Sequence, residues 1–271
     1  MRNNFLNIMK NFFSIKKSNV PYYILNNNIN DYYKVLKTHK NNTSVIFFKK
    51  KLFFRKYSKL KKGIEKIEAE YEGLKWYCKK TNRKSEVILL NYTQKKKFAY
   101  IDLKKIEGKK IKSWDTLSKN YFYLKKVYSH YKKHKLQNSN KTHGDLTFDN
   151  IIFNKKKIFI IDWEFFYSKI KFRGYDIVYL FLSAACLPYV IGKKFSDNDE
   201  ITFKKLWRML IKMNLNKKML LDPFTFFKQL IKKDKILNSS AKLSKSKFFP
   251  FIVKKPHEKK ILQLIKSTIN N

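Results

Sequence analysis

Three short early stretches, Tyr32 to Lys37, Val45 to Phe48 and Leu52 to Tyr57, are rich in β-branched and aromatic residues and are divided by polar runs at Thr38 to Thr43 and Lys49 to Lys51. Such runs, bounded by polar turn residues, predict three strands and two turns. The period then changes. From Lys59 to Cys78 the residues Ile64, Ile67, Tyr71, Leu74 and Tyr77 or Cys78 recur every three or four positions, the buried stripe of a helix. Val87 to Tyr92 and Phe98 to Leu103 again look like strands, joined at Lys95 to Lys97 and running into Ile106-Glu107-Gly108. Beyond Gly108 helices dominate: Trp114 to His134, Ile177 to Ile191, Ile201 to Asn214 and Pro223 to Lys233. One hairpin interrupts them, Asn150 to Phe153 with Ile158 to Ile161. The expectation is an α+β chain in two lobes around a cleft: a small N-terminal lobe with an antiparallel sheet and one helix, then a larger, mainly helical lobe. The boundaries are an extension over 1–20, a first lobe over 21–108 and a second over 109–271.

Composition narrows the possibilities. Hydrophobic residues make up 44% and aromatics 17% of 271 residues, enough for a substantial core despite a net charge of +42. Only five of the 62 basic residues, Arg2, Arg55, Arg83, Arg173 and Arg208, are arginine, and Asn, Ile, Phe and Tyr abound. That skew reads as a genome favouring A and T in its codons. A surface selected to read bases or phosphates would use the bidentate arginine fork more often. No specific nucleic-acid partner is therefore expected, and the charge is read as mostly a solvated surface. Two cysteines, Cys78 and Cys186, are too few for a disulfide scaffold or a metal cluster, and they suit a cytoplasmic location. The 15-residue apolar run Ile177 to Ile191 contains Pro188 and is shorter than the roughly 20 residues of a membrane span, so a buried helix is expected. The weakly amphipathic stretch Met1 to Val20 lacks a signal-peptide core and leaves peripheral contact with an anionic membrane surface open.

The chemistry concentrates in His143-Gly144-Asp145-Leu146-Thr147-Phe148-Asp149-Asn150 and Ile160-Ile161-Asp162-Trp163-Glu164. Phosphoryl transfer from ATP needs a carboxylate to accept the proton of the incoming hydroxyl, and hard oxygen ligands for Mg²⁺ on the phosphates. Asp145, Asn150 and Asp162 supply these types in order, with a hairpin to return the third beside the first two. Each residue alone has an ordinary explanation as a cap or turn residue. The ordered set around a hairpin does not. His130, His134 and His257 show no zinc-ligand spacing.

These elements resemble the aminoglycoside phosphotransferase and choline kinase families, which share the protein-kinase-like bilobal fold. The HGDxxxxN element, the apolar-IDWE element and the segment Arg173-Gly174-Tyr175-Asp176-Ile177 carry the likeness. The resemblance implies that Asp145 is the catalytic base, that Asn150 and Asp162 hold Mg²⁺, that Asp176 braces the catalytic loop and that His143 shapes it. It also implies that the first lobe binds the nucleotide and the second the acceptor. In the first lobe it points to Lys56 as the lysine on the ATP phosphates, with Arg55 taking that role if the strand register slips. Glu70 would hold the lysine, with Glu72 as competitor. Phe98 to Gly108 would carry the adenine.

One departure from kinases is that none of the six glycines precedes the lysine strand, so the phosphate-covering loop would be Thr38 to Thr43. A protein kinase is disfavoured because Asp176 follows Asp162 by only 14 positions, too few for an activation loop and a peptide platform. The expected activity is transfer of the ATP γ-phosphate to a hydroxyl of a small acceptor, an amino alcohol such as choline or ethanolamine, or a sugar or cell-surface glycan precursor. A catalytically inactive kinase-like binding module is the alternative. For a cationic acceptor, the acidic island Ser196 to Glu200 near Trp207 is one candidate site, and a helix cap is its ordinary reading.

Overall fold

The computed structural model describes residues 32–38, 43–48, 52–155, 157–167, 173–190, 192–233 and 255–270. The extension 1–20, the start of the first lobe at 21–31 and the turn residues 39–42 and 49–51 lie outside them. Strands β1 (Tyr32–Thr38), β2 (Thr43–Phe48), β3 (Phe53–Ser58), β4 (Leu89–Lys95) and β5 (Phe98–Lys104) form one sheet in the order β1-β2-β3-β5-β4. Every neighbouring pair is antiparallel. Helix α1 (Lys61–Lys80) is inserted between β3 and β4. Val87, expected to open a strand, instead closes the short turn Ser85–Val87. Its N–H is taken by the Lys84 carbonyl at 3.3 Å, and the next, Ile88, by Ser85 at 2.9 Å, so the ladder begins only at Leu89.

The periodic stripe of α1 is buried at Ile67, Leu74, Tyr77 and Cys78. Lys79 and Lys80 lie in its last turn, where cations favour the negative end of the helix dipole. Asn82 adopts a left-handed conformation (φ +51°), and Arg83 N–H returns to the Cys78 carbonyl at 2.9 Å to close the helix. Among the described residues, those up to Tyr71 and Lys84–Lys105 form one compact unit, and Glu72–Arg83 with those from Ile106 onward form the other.

The second unit contains α2 (Leu117–Lys133), the hairpin β6 (Ile151–Asn154) and β7 (Lys157–Ile160), then α3 (Tyr175–Val190), α4 (Asp197–Ile211), α5 (Lys217–Leu221), α6 (Pro223–Lys233) and α7 (Lys255–Ile269). Its core joins Leu124 and Val127 of α2, Ile151 and Ile160 of the hairpin, Ile177 and Leu180 of α3, and Trp207 and Leu210 of α4. The apolar α3 is buried along nearly its whole length, and no helix among the described residues is long and apolar enough to cross a membrane. Cys78 and Cys186 are buried and neither is in a disulfide, and burial pushes the Cys186 thiol well up from its ordinary value. Helix α4 starts four residues earlier than its apolar period suggests, because the acidic island forms its first turn. The short α5 and the late α7 were not visible in the sequence pattern. The α+β class holds: a five-stranded antiparallel sheet with one inserted helix, then a mainly helical unit containing a loop and a hairpin.

Gly73 sits where α1 meets the segment after β7. A Cβ there would lie 2.8 Å from Trp163 Cβ and 2.9 Å from its Cε3. Alanine gains about 1 kcal/mol over glycine in a helix interior, whereas overpacking costs about 1–3 kcal/mol. Because Trp163 is itself buried and its indole N–H donates to the Ile160 carbonyl at 2.9 Å, it has little room to yield. Gly73→Ala is expected to lower the urea midpoint. A variant more stable than the parent would contradict this close approach.

Candidate active site

The loop before β6 is shaped by one buried carboxylate. Asp176, in the first turn of α3, accepts the Thr142 hydroxyl and the Gly144 N–H (3.1 Å) on one oxygen, and the His143 N–H (2.8 Å) on the other. Burial raises its pKa above the ordinary carboxylate range, while these donors pull the other way. A buried charge is tolerable only with such partners. Gly144 stands at φ +88°, and a Cβ there would approach the Phe165 carbonyl oxygen to 2.4 Å. Thr142 and Tyr167 exchange backbone hydrogen bonds at 2.8 and 3.0 Å, fastening the loop to the chain beyond Asp162.

His143 is fully buried. Its Nδ1 accepts the Asp145 N–H at 3.3 Å, so the ring proton sits on Nε2 and is donated to the Ile161 carbonyl at 2.8 Å. The imidazole, packed on Trp163 with centroids 4.6 Å apart, thus links the backbone at Asp145 to the residue before Asp162.

Asn150 makes the second link. It ends the single turn Phe148–Asn150, one residue before β6 rather than inside it. Its side-chain amide donates to the Asp145 carbonyl at 2.8 Å, and its own carbonyl accepts the Ile161 N–H at 3.0 Å. The hairpin register, Ile151 opposite Ile160, then brings Asp162 to the same end. Asp162 adopts φ +65°, a left-handed conformation that a short carboxylate side chain tolerates better than most. The Asp145 carboxyl is pushed up to about 7, first by burial and next by the charge of Asp162, with Glu164 and Asp149 adding to the rise and the Tyr179 hydroxyl opposing it.

These groups fit a hard divalent cation. With its amide nitrogen committed to Asp145, Asn150 presents Oδ1 as its remaining side-chain donor atom, and the crowded carboxylates gain from a neutralising charge. Among the described residues no cluster of three or more His, Cys, Asp or Glu could hold a metal alone. Asn150 would have to share the shell with Asp162 and with non-protein oxygens, as suits Mg²⁺.

In the sheet unit, Lys56 Nζ lies 2.9 and 2.7 Å from the two carboxylate oxygens of the buried Glu70 on α1. Arg55, on the opposite face of β3, is spent on Asp102 through two bonds of 2.7 and 2.9 Å, with its guanidinium 3.9 Å above the Tyr100 ring. Glu72 is exposed. The segment Phe98 to Gly108 comprises β5 and the residues after it. Of the loop Thr38 to Thr43, only the two threonines are described, as strand ends.

The acidic island is a helix cap, its ordinary reading. Ser196 and Asp199 form a reciprocal cap, Ser196 Oγ accepting the Asp199 N–H at 3.2 Å and Asp199 accepting the Ser196 N–H at 3.1 Å. Asp199 also accepts the Ser118 N–H at 2.8 Å, and Trp207 is buried against Phe203. Burial would raise the Asp199 carboxyl, but these donors outweigh it and hold its pKa low. Neither group is presented to a cationic ligand. Conversely, two residues at the site escaped sequence reasoning: Thr142, and Tyr179, whose hydroxyl lies 3.3 Å from Asp145 Oδ1. A tyrosine within the apolar run of α3 was the available signal.

No family model matches the chain, and no curated protein matches it. Among solved structures, it is similar over 89% of each chain, at 12% identity and a TM-score of 0.38, to the Cydia pomonella granulovirus kinase PK-1. A likeness that remote informs neither fold nor chemistry.

The raised Asp145 pKa has a measurable sign. The folded value of about 7 lies above the ordinary 3.8, so folding binds this proton. The stability gained from it is complete below the unfolded pKa and disappears as pH rises through the folded one. In metal-free protein, Asp145→Asn is therefore expected to gain stability relative to the parent between pH 4.5 and pH 8. A parent-minus-variant difference in urea stability that does not change with pH would contradict the crowding at Asp145.

Proposed function

We propose that this chain is an ATP- and Mg²⁺-dependent phosphotransferase of the aminoglycoside phosphotransferase and choline kinase type, acting on a hydroxyl of a small molecule. The observation that carries this reading is the double tie at Asn150, side chain to Asp145 and main chain to Ile161, which joins a candidate base to two candidate metal ligands. On this reading Asp145 accepts the proton of the acceptor hydroxyl as its oxygen attacks the γ-phosphorus and ADP departs. Asn150 and Asp162 hold Mg²⁺, which when bound neutralises charge on the phosphate oxygens. Lys56, held against Glu70, is the phosphate lysine, while the pairing of Arg55 with Asp102 argues against it in that role. Asp176 and His143 keep the loop backbone from relaxing when the carboxylate changes charge.

The 14-residue separation of Asp162 and Asp176 supports a small acceptor over a peptide. With Asp199 and Trp207 committed elsewhere, an amino alcohol and a sugar or glycan precursor stand on equal terms. A panel of choline, ethanolamine, simple sugars and aminoglycosides, read by ADP release, separates them.

ATP with Mg²⁺ is expected to raise the melting temperature of the parent by linkage. Asp162→Ala should lose the Mg²⁺-dependent part of that rise. Asp145→Asn should keep it while slowing ADP release by about 10²- to 10⁴-fold, the scale for removal of a general base. A parent with no thermal response to Mg²⁺ and ATP would instead favour an inactive binding module. Unchanged turnover in Asp145→Asn would remove that residue from the chemistry.

A further inference from the structure

Helix α3 reaches the loop twice. Asp176 in its first turn grips the backbone at His143 and Gly144, and three residues later, on the same helical face, Tyr179 directs its hydroxyl at the side chain of Asp145. The Tyr179 ring is buried, stacked on Tyr175 at 5.9 Å with the planes 10° apart and set edge-on to Phe227 at 6.0 Å, so the hydroxyl cannot swing away without breaking that packing. Burial, and then the charge of Asp145, hold the phenol pKa well above its ordinary value, which keeps it a donor. The contact is to Oδ1 at 3.3 Å, and among the described residues no other hydrogen bond reaches the Asp145 carboxylate.

We propose that Tyr179 is a positioning residue for the transfer: by donating to Oδ1 it fixes the Asp145 carboxylate plane and leaves Oδ2 as the oxygen that meets the acceptor hydroxyl. This rests on the phosphotransferase reading above. The proton of the acceptor passes to Oδ2, the acceptor oxygen takes the γ-phosphoryl group, and ADP leaves with the bond electrons. A carboxylate free to rotate would present either oxygen and spend part of its time misaligned, which lowers turnover without weakening nucleotide binding.

Tyr179→Phe keeps the ring and removes only the hydroxyl. With MgATP as probe and water as acceptor, ADP release should show kcat reduced by about 10- to 100-fold, the range for a hydrogen bond to a charged group. KM for ATP, melting temperature and the MgATP thermal shift should stay at parental values. In an Asp145→Asn background the same change should cost nothing further, whereas a purely structural role for the hydroxyl would subtract equally in both backgrounds. An active parent matched in kcat by Tyr179→Phe, or an equal loss in the Asp145→Asn background, overturns the positioning role alone. A parent that neither releases ADP nor responds thermally to MgATP overturns the phosphotransferase reading, and this role with it.

Discussion

The side-chain amide of Asn150 holds the site together. Its nitrogen faces the Asp145 carbonyl at 2.8 Å, which decides the orientation of an otherwise symmetric-looking group: the oxygen, a hard donor, is what remains to be offered. Its own main-chain carbonyl takes the Ile161 N–H, so a rotation at Asn150 would disturb the loop and the hairpin together. The loop can present this geometry because Asp176 satisfies its backbone donors from below and His143 ties Asp145 to Ile161 across it. If Asn150 lost its grip, only the His143 bridge would still tie the backbone at Asp145 to the residue before Asp162.

Electrostatics then works against the fold in one place. Four acidic groups, Asp145, Asp149, Asp162 and Glu164, fall within a short span of a chain that is otherwise strongly basic, and Asp145 responds by holding its proton. Three other carboxylates each meet a basic side chain: Asp102 meets Arg55, Glu70 meets Lys56 and Glu258 meets Lys228. Concentrated, mutually repelling carboxylates are unfavourable for folding and favourable for a cation, a trade typical of binding sites. The left-handed backbone at Asp162 is a second local cost at the same spot.

Much of this was legible because it is local. Runs of β-branched and aromatic residues between polar turns located the five strands, and three-to-four periodicity located α1, since each signal lies within one short element. Asp145, Asn150 and Asp162 could be grouped from sequence because a five-residue loop and a tight hairpin leave few ways to separate them. What sequence could not show depends on distant packing. Tyr179 meets Asp145 across 34 residues, and Asp199 is diverted to the Ser118 amide across 81. The acidic island could be read as a ligand site or as a helix cap because unpaired carboxylates and cap residues are identical on paper. Only the start of α2 beside it reveals which it is. Val87 failed as a strand residue for a related reason: β-branched composition cannot outweigh a turn that claims its amide.

The central claim is that Asn150 and Asp162 together hold the metal of a bound nucleotide. A crystal structure with Mg²⁺ and a non-hydrolysable ATP analogue tests it most directly. The expected result is Mg²⁺ at about 2.0–2.1 Å from Asn150 Oδ1 and from an Asp162 carboxylate oxygen, bridging to the phosphates. A metal coordinated by other side chains, or an Asn150 amide turned so that its nitrogen faces the ion, would contradict it.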